Sequence, residues 1–280
     1  RGPGRGTLWV GASLGHRTNS EVGVAATVVA RGVVAGYGGA AVLDGVDVTV
    51  GPGDAIGLLG ASGVGKSTLL AVLGGEIPAT LGSVAFEGHR VFKPARRDRK
   101  MLRARLRTVH QNGLAGLDPT QSVERAVRGA LDEARAAGRS TGRDTVSALE
   151  LFGLPAAFAG RRIGTLSGGE RQRLTLAIAL APRPDVVLLD EPLTAVDPQM
   201  RLELARLVAA VAADEGIGLL VASHDMALLD ALTRSVHVLA DGRLVEHGPL
   251  RTVLADPKHE ATRELATALA VATRSFAPAP

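Results

Sequence analysis

The sequence contains no cysteine, which excludes disulfides, thiolate zinc sites and cysteine nucleophiles. Aromatic residues make up only 2% of it, so aliphatic side chains and alanine must build the core. No apolar run approaches the roughly 20 residues that a membrane-spanning helix needs. Any membrane work would therefore draw its spans from another chain. The seven histidines show no close ligand spacing, so no histidine metal site is expected. The charge excess is mild, with 32 Lys and Arg against 28 Asp and Glu. That balance suits an ordinary surface better than a dedicated polyanion binder.

What is present is 280 residues, 46% hydrophobic, enough for one mid-sized domain with a real core. Residues 1–25 are Gly-rich, lack a sustained period and carry no compact apolar block, and read as an unstructured leader. Val-rich runs at Val28–Val34 and Val42–Val50 flank a Gly-rich turn and predict an antiparallel strand pair. Short apolar runs at Ala55–Leu59, Val186–Leu189 and Gly218–Ala222 suit buried parallel strands. Gly82–Phe86 and Arg107–His110 are further strands. Helical patterns occupy Thr68–Leu73, Val123–Phe158, Leu202–Val211, Met226–Leu232, Leu250–Leu254 and Glu260–Ala270. Val236–Leu239 and Arg243–Glu246 form a hairpin around Asp241-Gly242. Strands alternating with helices predict an α/β fold with a mainly parallel sheet. The dense basic run within Ala95–Arg107 has no interleaved aromatics and reads as a solvated helix, so no nucleic acid is expected as a partner.

Gly60-Ala61-Ser62-Gly63-Val64-Gly65-Lys66-Ser67-Thr68 fits the P-loop pattern G-x-x-x-x-G-K-[ST]. Its glycines let the backbone wrap closely and aim N–H groups at phosphate oxygens. The helix that follows presents its positive end to the same anion. Lys66 reaches β and γ phosphates, and Ser67 is placed to ligate Mg²⁺. A Gly-rich turn that happens to contain Lys-Ser is the alternative, but the setting between an apolar strand and a helix favours the phosphate cradle. Val186-Val187-Leu188-Leu189-Asp190-Glu191 delivers two carboxylates at the end of a buried strand, where α/β sheets place ligands. Asp190 is the candidate Mg²⁺ holder and Glu191 the candidate base toward an attacking water.

Leu166-Ser167-Gly168-Gly169-Glu170, followed by Arg171-Gln172-Arg173, resembles the signature of ATP-binding cassette ATPases. Ser167 and Glu170 also form an S-x-x-E capping box, and a helix start with free N–H groups is itself an anion site. Other positions match the family in order. Tyr37 resembles the aromatic that stacks on adenine. Gln111 resembles the glutamine that senses Mg²⁺ or water and couples to a membrane partner. Ala195-Val196-Asp197 resembles the loop contacting a second cassette, with Val196 where leucine is common. His224 resembles the histidine that contacts the γ-phosphate. Asn112 stands where aspartate is common.

The resemblance covers Val28 to Leu269. It implies a P-loop NTPase core, an N-terminal antiparallel β subdomain and a helical subdomain at about 112–166, within a cassette spanning 26–272 and followed by a tail at 273–280. It implies ATP and Mg²⁺ as cofactors, with Ser167, Gly168 and Gly169 capping the γ-phosphate held by the other cassette of a homo- or heterodimer. Ala115-Gly116-Leu117-Asp118-Pro119 and Leu254-Ala255-Asp256-Pro257-Lys258-His259-Glu260-Ala261-Thr262-Arg263 are similar to stretches of the peptide and nickel importer branch. The implied partners are transmembrane permease subunits and an extracytoplasmic substrate-binding protein, with this chain peripheral on the cytoplasmic face of the membrane. An exporter subunit, a soluble cassette acting on nucleic acid or ribosomes, and a non-enzymatic regulatory binder are the other readings.

Overall fold

The computed structural model describes residues 27–38, 40–111 and 117–275, with side chains to 269. The leader at 1–25 lies outside the described residues, as do Asn112, Ala115, Gly116 and 276–280.

Two sheets form the frame. The first is antiparallel, in the order β2 (Ala40–Val50), β1 (Val28–Tyr37), β4 (Leu81–Phe86), β5 (His89–Arg90). The expected Val-rich pair is β1 and β2, and β4 joins β1 on its other edge. The second sheet has six strands, in the order β10 (Arg243–Gly248), β9 (Ser235–Ala240), β3 (Ala55–Leu59), β8 (Gly218–Ala222), β7 (Val186–Asp190), β6 (Leu106–Val109). Five of these run parallel, and β10 closes the edge antiparallel to β9. The hairpin expected at Asp241-Gly242 is this closing pair.

Strand periodicity divides the core. Side chains alternate between faces of a sheet. Val186, Leu188, Leu220 and Leu58 join the cluster that covers α1 (Lys66–Leu73) and the antiparallel sheet. Val187, Leu189, Leu219 and Val221 join the opposite cluster, against α6 (Pro198–Glu215), α7 (Met226–Leu232) and α8 (Leu250–Ala255). Because both faces are covered, the central strands read as unbroken apolar runs rather than alternating ones. A third cluster gathers α3 (Val123–Ala136), α4 (Thr145–Glu150) and the start of α5 (Gly168–Leu180) around Val127, Leu131, Leu149, Leu154 and Leu174. α9 (Glu260–Ser275) follows α8, so residues 273–275, assigned to the tail, continue a helix.

Helix ends follow local chemistry. Pro198 opens α6 behind the Asp197 cap, and Gly216 ends it in the left-handed conformation. That makes α6 longer than the Leu202–Val211 pattern, because its first and last turns lack an apolar stripe.

The basic run departs from expectation. Only Arg99–Arg105 is helical (α2), and two of its arginines serve the interior. Arg105 hydrogen-bonds Glu87 through both terminal nitrogens, at 2.5 and 2.8 Å, and Asp185 through Nε at 2.6 Å. Arg107, on β6, reaches Glu133 of α3 at 3.0 Å. A sequence window shows density of charge but not its partners, since Glu87 and Asp185 lie 18 and 80 residues away. Replacing Arg105 by Ala leaves the partly buried Glu87 without a cation and Asp185 with Arg139 alone. The variant should lose about 2 kcal/mol of stability, read as a lower urea midpoint with an unchanged slope.

Candidate active site

The loop between β3 and α1 turns on glycines that nothing else can replace. Gly60 has φ 156°, and a Cβ there would lie 2.5 Å from the Leu239 carbonyl oxygen. Gly65 caps α1 with φ 113°, and its Cβ would lie 2.7 Å from Val42 Cγ1. No side chain caps this helix, so its first N–H groups remain available to a ligand. Lys66 is buried and its Nζ donates to the carbonyls of Gly60 and Ala61, at 2.8 and 2.9 Å. Burial pulls its pKa below the ordinary lysine value, against the opposing charges of Glu191 and Asp190. An anion in the loop would offset that cost.

β7 ends in the acidic pair. Asp190 Oδ1 accepts from Ser67 Oγ at 3.1 Å, which ties the strand to the P-loop helix. Burial raises the Asp190 pKa, and the neighbouring Glu191 carboxylate adds to the rise. Glu191 has φ 46°, a left-handed backbone that is costly for a residue with a Cβ. Its carboxylate is held at three points from β8 and the residues after it. Ser223 Oγ donates to Oε2 at 2.9 Å, the His224 backbone N–H donates to Oε1 at 2.9 Å, and His224 Nδ1 lies 2.8 Å from Oε1. Ser62, Gly63, Gly65, Lys66, Ser67, Thr68, Gln111, Asp190, Glu191 and His224 line one cleft of about 520 Å³. Four separated stretches of sequence thus converge, as their order along the chain predicts.

Other candidates lie elsewhere. Tyr37 ends β1 with 59% of its surface exposed and does not line the cleft. Ser167, Gly168, Gly169 and Asp197 do not line it either. Ser167 and Glu170 form the expected reciprocal cap on α5, at 3.3 and 2.7 Å. Beside it, the buried Gln172 donates to Thr194 Oγ1 at 3.3 Å and accepts from the Ala195 N–H at 3.1 Å. Gln172 therefore joins the signature helix to the Ala195–Asp197 loop. Asp197 itself caps α6 by accepting from the Met200 N–H at 3.0 Å.

Sequence reasoning passed over Gln172, Ser223, Arg201 and the pair Glu76–His110. Arg201 bonds Asp225 Oδ2 at 2.9 Å and the Val196 carbonyl at 3.1 Å, linking that loop to the residue after His224. Ser223 is fully buried at the end of an apolar strand, and that setting was the available signal. His110 Nε2 lies 3.0 Å from Glu76 Oε1.

The half-buried Asp190 sets a pH dependence. A carboxyl whose pKa is raised by folding is bound more tightly to its proton in the native state, so stability falls as pH rises through the interval between its unfolded and folded values. Asp190→Asn keeps an acceptor for Ser67 but carries no charge. Its melting temperature should exceed that of the parent at pH 8, and the gap should close as pH falls through the carboxylate range.

With this geometry in view, three comparisons agree. The family model described as ABC transporter matches residues 43–194. A model described as an AAA domain, putative AbiEii toxin, type IV TA system, matches 159–230. A putative peptide import ATP-binding protein of Brucella abortus (strain 2308) is 36% identical over 225 residues, covering 80% of this chain and 67% of its own length. A glutathione import ATP-binding protein of Escherichia coli (strain K12) is 34% identical over 228 residues. This chain spans 36% of that relative's length. Among solved structures, a dimeric ATP-binding cassette in a post-hydrolysis state, bound to ADP and Pi, superposes with TM-score 0.68 at 24% identity, covering 80% of this chain and 99% of its own. An ATP-binding subunit of an ABC transporter superposes with TM-score 0.71 at 23% identity, covering 87% and 99%. A P-loop, a signature helix, an acidic strand end and a histidine, in this order on this fold, accompany the match, and the chain belongs to the ABC transporter family.

Proposed function

We propose that this chain is the ATP-binding and ATP-hydrolysing subunit of an ABC importer in the peptide-import class. The arrangement around Glu191 carries the catalytic reading. Its carboxylate is fixed by Ser223 and His224 in the same cleft as Lys66, Ser67 and Gln111. In this reading Gly60–Thr68 wrap the phosphates, and Lys66 neutralises the β and γ oxygens. A water oxygen attacks the γ-phosphorus and gives its proton to Glu191 while the bond to the ADP oxygen breaks. His224 stands beside Glu191 to contact the γ-phosphate.

The donor set suits Mg²⁺. Ser67 Oγ and Asp190 Oδ1 are neighbouring hard oxygens, and Gln111 adds an amide oxygen to the same cleft. A small cation that keeps several of its waters needs few protein ligands. When bound, Mg²⁺ would neutralise charge on the β and γ phosphates.

Tyr37 is the adenine platform in this reading, and its exposed ring is open to stacking. Ser167, Gly168, Gly169 and Asp197 face the nucleotide of a second cassette, which accounts for their place outside their own chain's cleft. The dimeric state of that solved cassette supports the presence of a second cassette. Among the described residues no helix is long and apolar enough to cross a membrane. Permease subunits would supply the spans, with an extracytoplasmic binding protein delivering the solute. The helical layer within 117–166 is the face offered to the permease, and the chain sits peripherally on the cytoplasmic side. The peptide and glutathione import relatives support the cargo class.

Phosphate release from MgATP tests the chemistry. Glu191→Gln should lower kcat by at least about 100-fold while nucleotide still binds. Lys66→Ala should weaken nucleotide binding itself. Parent-level turnover in both variants would refute the assignments. Purification of the tagged chain from native membranes should recover a multi-span protein, and recovery of ribosomes or nucleic acid instead would remove the transport reading.

A further inference from the structure

The pair Glu76–His110 has no part in the chemistry above, yet it stands where two elements of the cleft meet. α1 carries Lys66 and Ser67 at its start and ends at Gly74. Gly75 then takes φ 74°, its N–H bonds the Val72 carbonyl at 3.1 Å, and the Glu76 N–H bonds the Ala71 carbonyl at 2.9 Å. This closed turn fixes the point from which the Glu76 side chain departs. β6 runs past the same end of the helix. Gly74 approaches so closely that a Cβ there would lie 2.6 Å from Thr108 Oγ1. His110, two residues on, shares the face of Thr108 by strand alternation. Its Nε2 meets Glu76 Oε1 at 3.0 Å.

The pair is also level with the acidic strand end. Val109 is in register with Leu189 on the parallel strand β7, so His110 and Gln111 follow alongside Asp190 and Glu191. Gln111 leaves the sheet at once and lines the cleft. Among the described residues, no hydrogen bond holds the Gln111 side chain. Just before it, His110 makes the side-chain contact that reaches the turn after α1.

We infer that Glu76 and His110 are positioning residues: together they tie the root of the Gln111 segment to the end of the P-loop helix. Gln111 is thereby held at a fixed reach from Ser67 and Asp190. The inference rests on the ATPase reading of the cleft. The pair is half exposed, with 39% of the glutamate side chain and 41% of the histidine accessible, so its removal should hardly change global stability. A displaced cleft residue, by contrast, costs turnover steeply.

The test uses the full chain, assayed for MgATP hydrolysis at concentrations that allow dimerisation. Glu76→Ala and His110→Ala should each lower kcat about ten-fold, with KM for MgATP within about two-fold of the parent. The double variant should be no worse than either single one, because each residue acts through the other. Glu76→Gln, which keeps an acceptor for the imidazole, should recover most of the rate. Melting temperatures should stay close to the parent throughout. An unchanged kcat in Glu76→Ala, losses that multiply in the double variant, or a fall in melting temperature that tracks the loss of rate would overturn the inference. Glu191→Gln run beside them separates the two levels. If it abolishes turnover while Glu76→Ala does not reduce it, only the positioning role fails. If it leaves turnover intact, the reading of the cleft fails.

Discussion

The parallel pairing of β3, β8, β7 and β6 is the constraint on which the cleft depends. Parallel strands end at one level, and whatever follows each of them meets its neighbours there. β3 delivers the phosphate loop, β7 the two carboxylates, β8 Ser223 and His224, and β6 the segment of Gln111. A slip of one residue in the pairing of β7 with β8 would turn Asp190 toward the other face of the sheet and Glu191 out of reach of Ser223. Register is protected by burial on both faces, since each slipped strand would carry its whole apolar set with it.

That frame sustains a cleft that is locally unfavourable. Lys66 is buried against carbonyls, Asp190 is held at the expense of its charge, and Glu191 keeps a backbone conformation that few side chains adopt. None of these arrangements arises from local preference. Each persists because aliphatic packing around β7 and β8 fixes the chain on either side. The scarcity of aromatics does not weaken this core, since leucine, valine and alanine fill both clusters.

Much of this was legible beforehand. The P-loop strand, β8 and α7 fall where their patterns begin and end, because buried strands and short amphipathic helices leave a compact apolar run that stops at a polar residue or glycine. The cleft residues were legible through chemistry at fixed spacing. What stayed hidden depends on pairs distant in sequence. Arg105 and Arg107 read as solvated because their carboxylates lie on other elements. β5 was missed because two residues carry no period. Gln172 stood in view inside the signature helix, but its polar side chain gave no hint that it is buried, nor that it faces Thr194 and Ala195.

Gln172 has a consequence for assembly. It ties the start of the signature helix to the loop before α6, so a protein approaching this face would find the two elements already aligned. Loops that must be ordered one by one charge an entropic toll on association. Here that ordering was completed when the chain folded, and contact with the surface becomes nearly all-or-none: a partner that displaces one element carries the other with it.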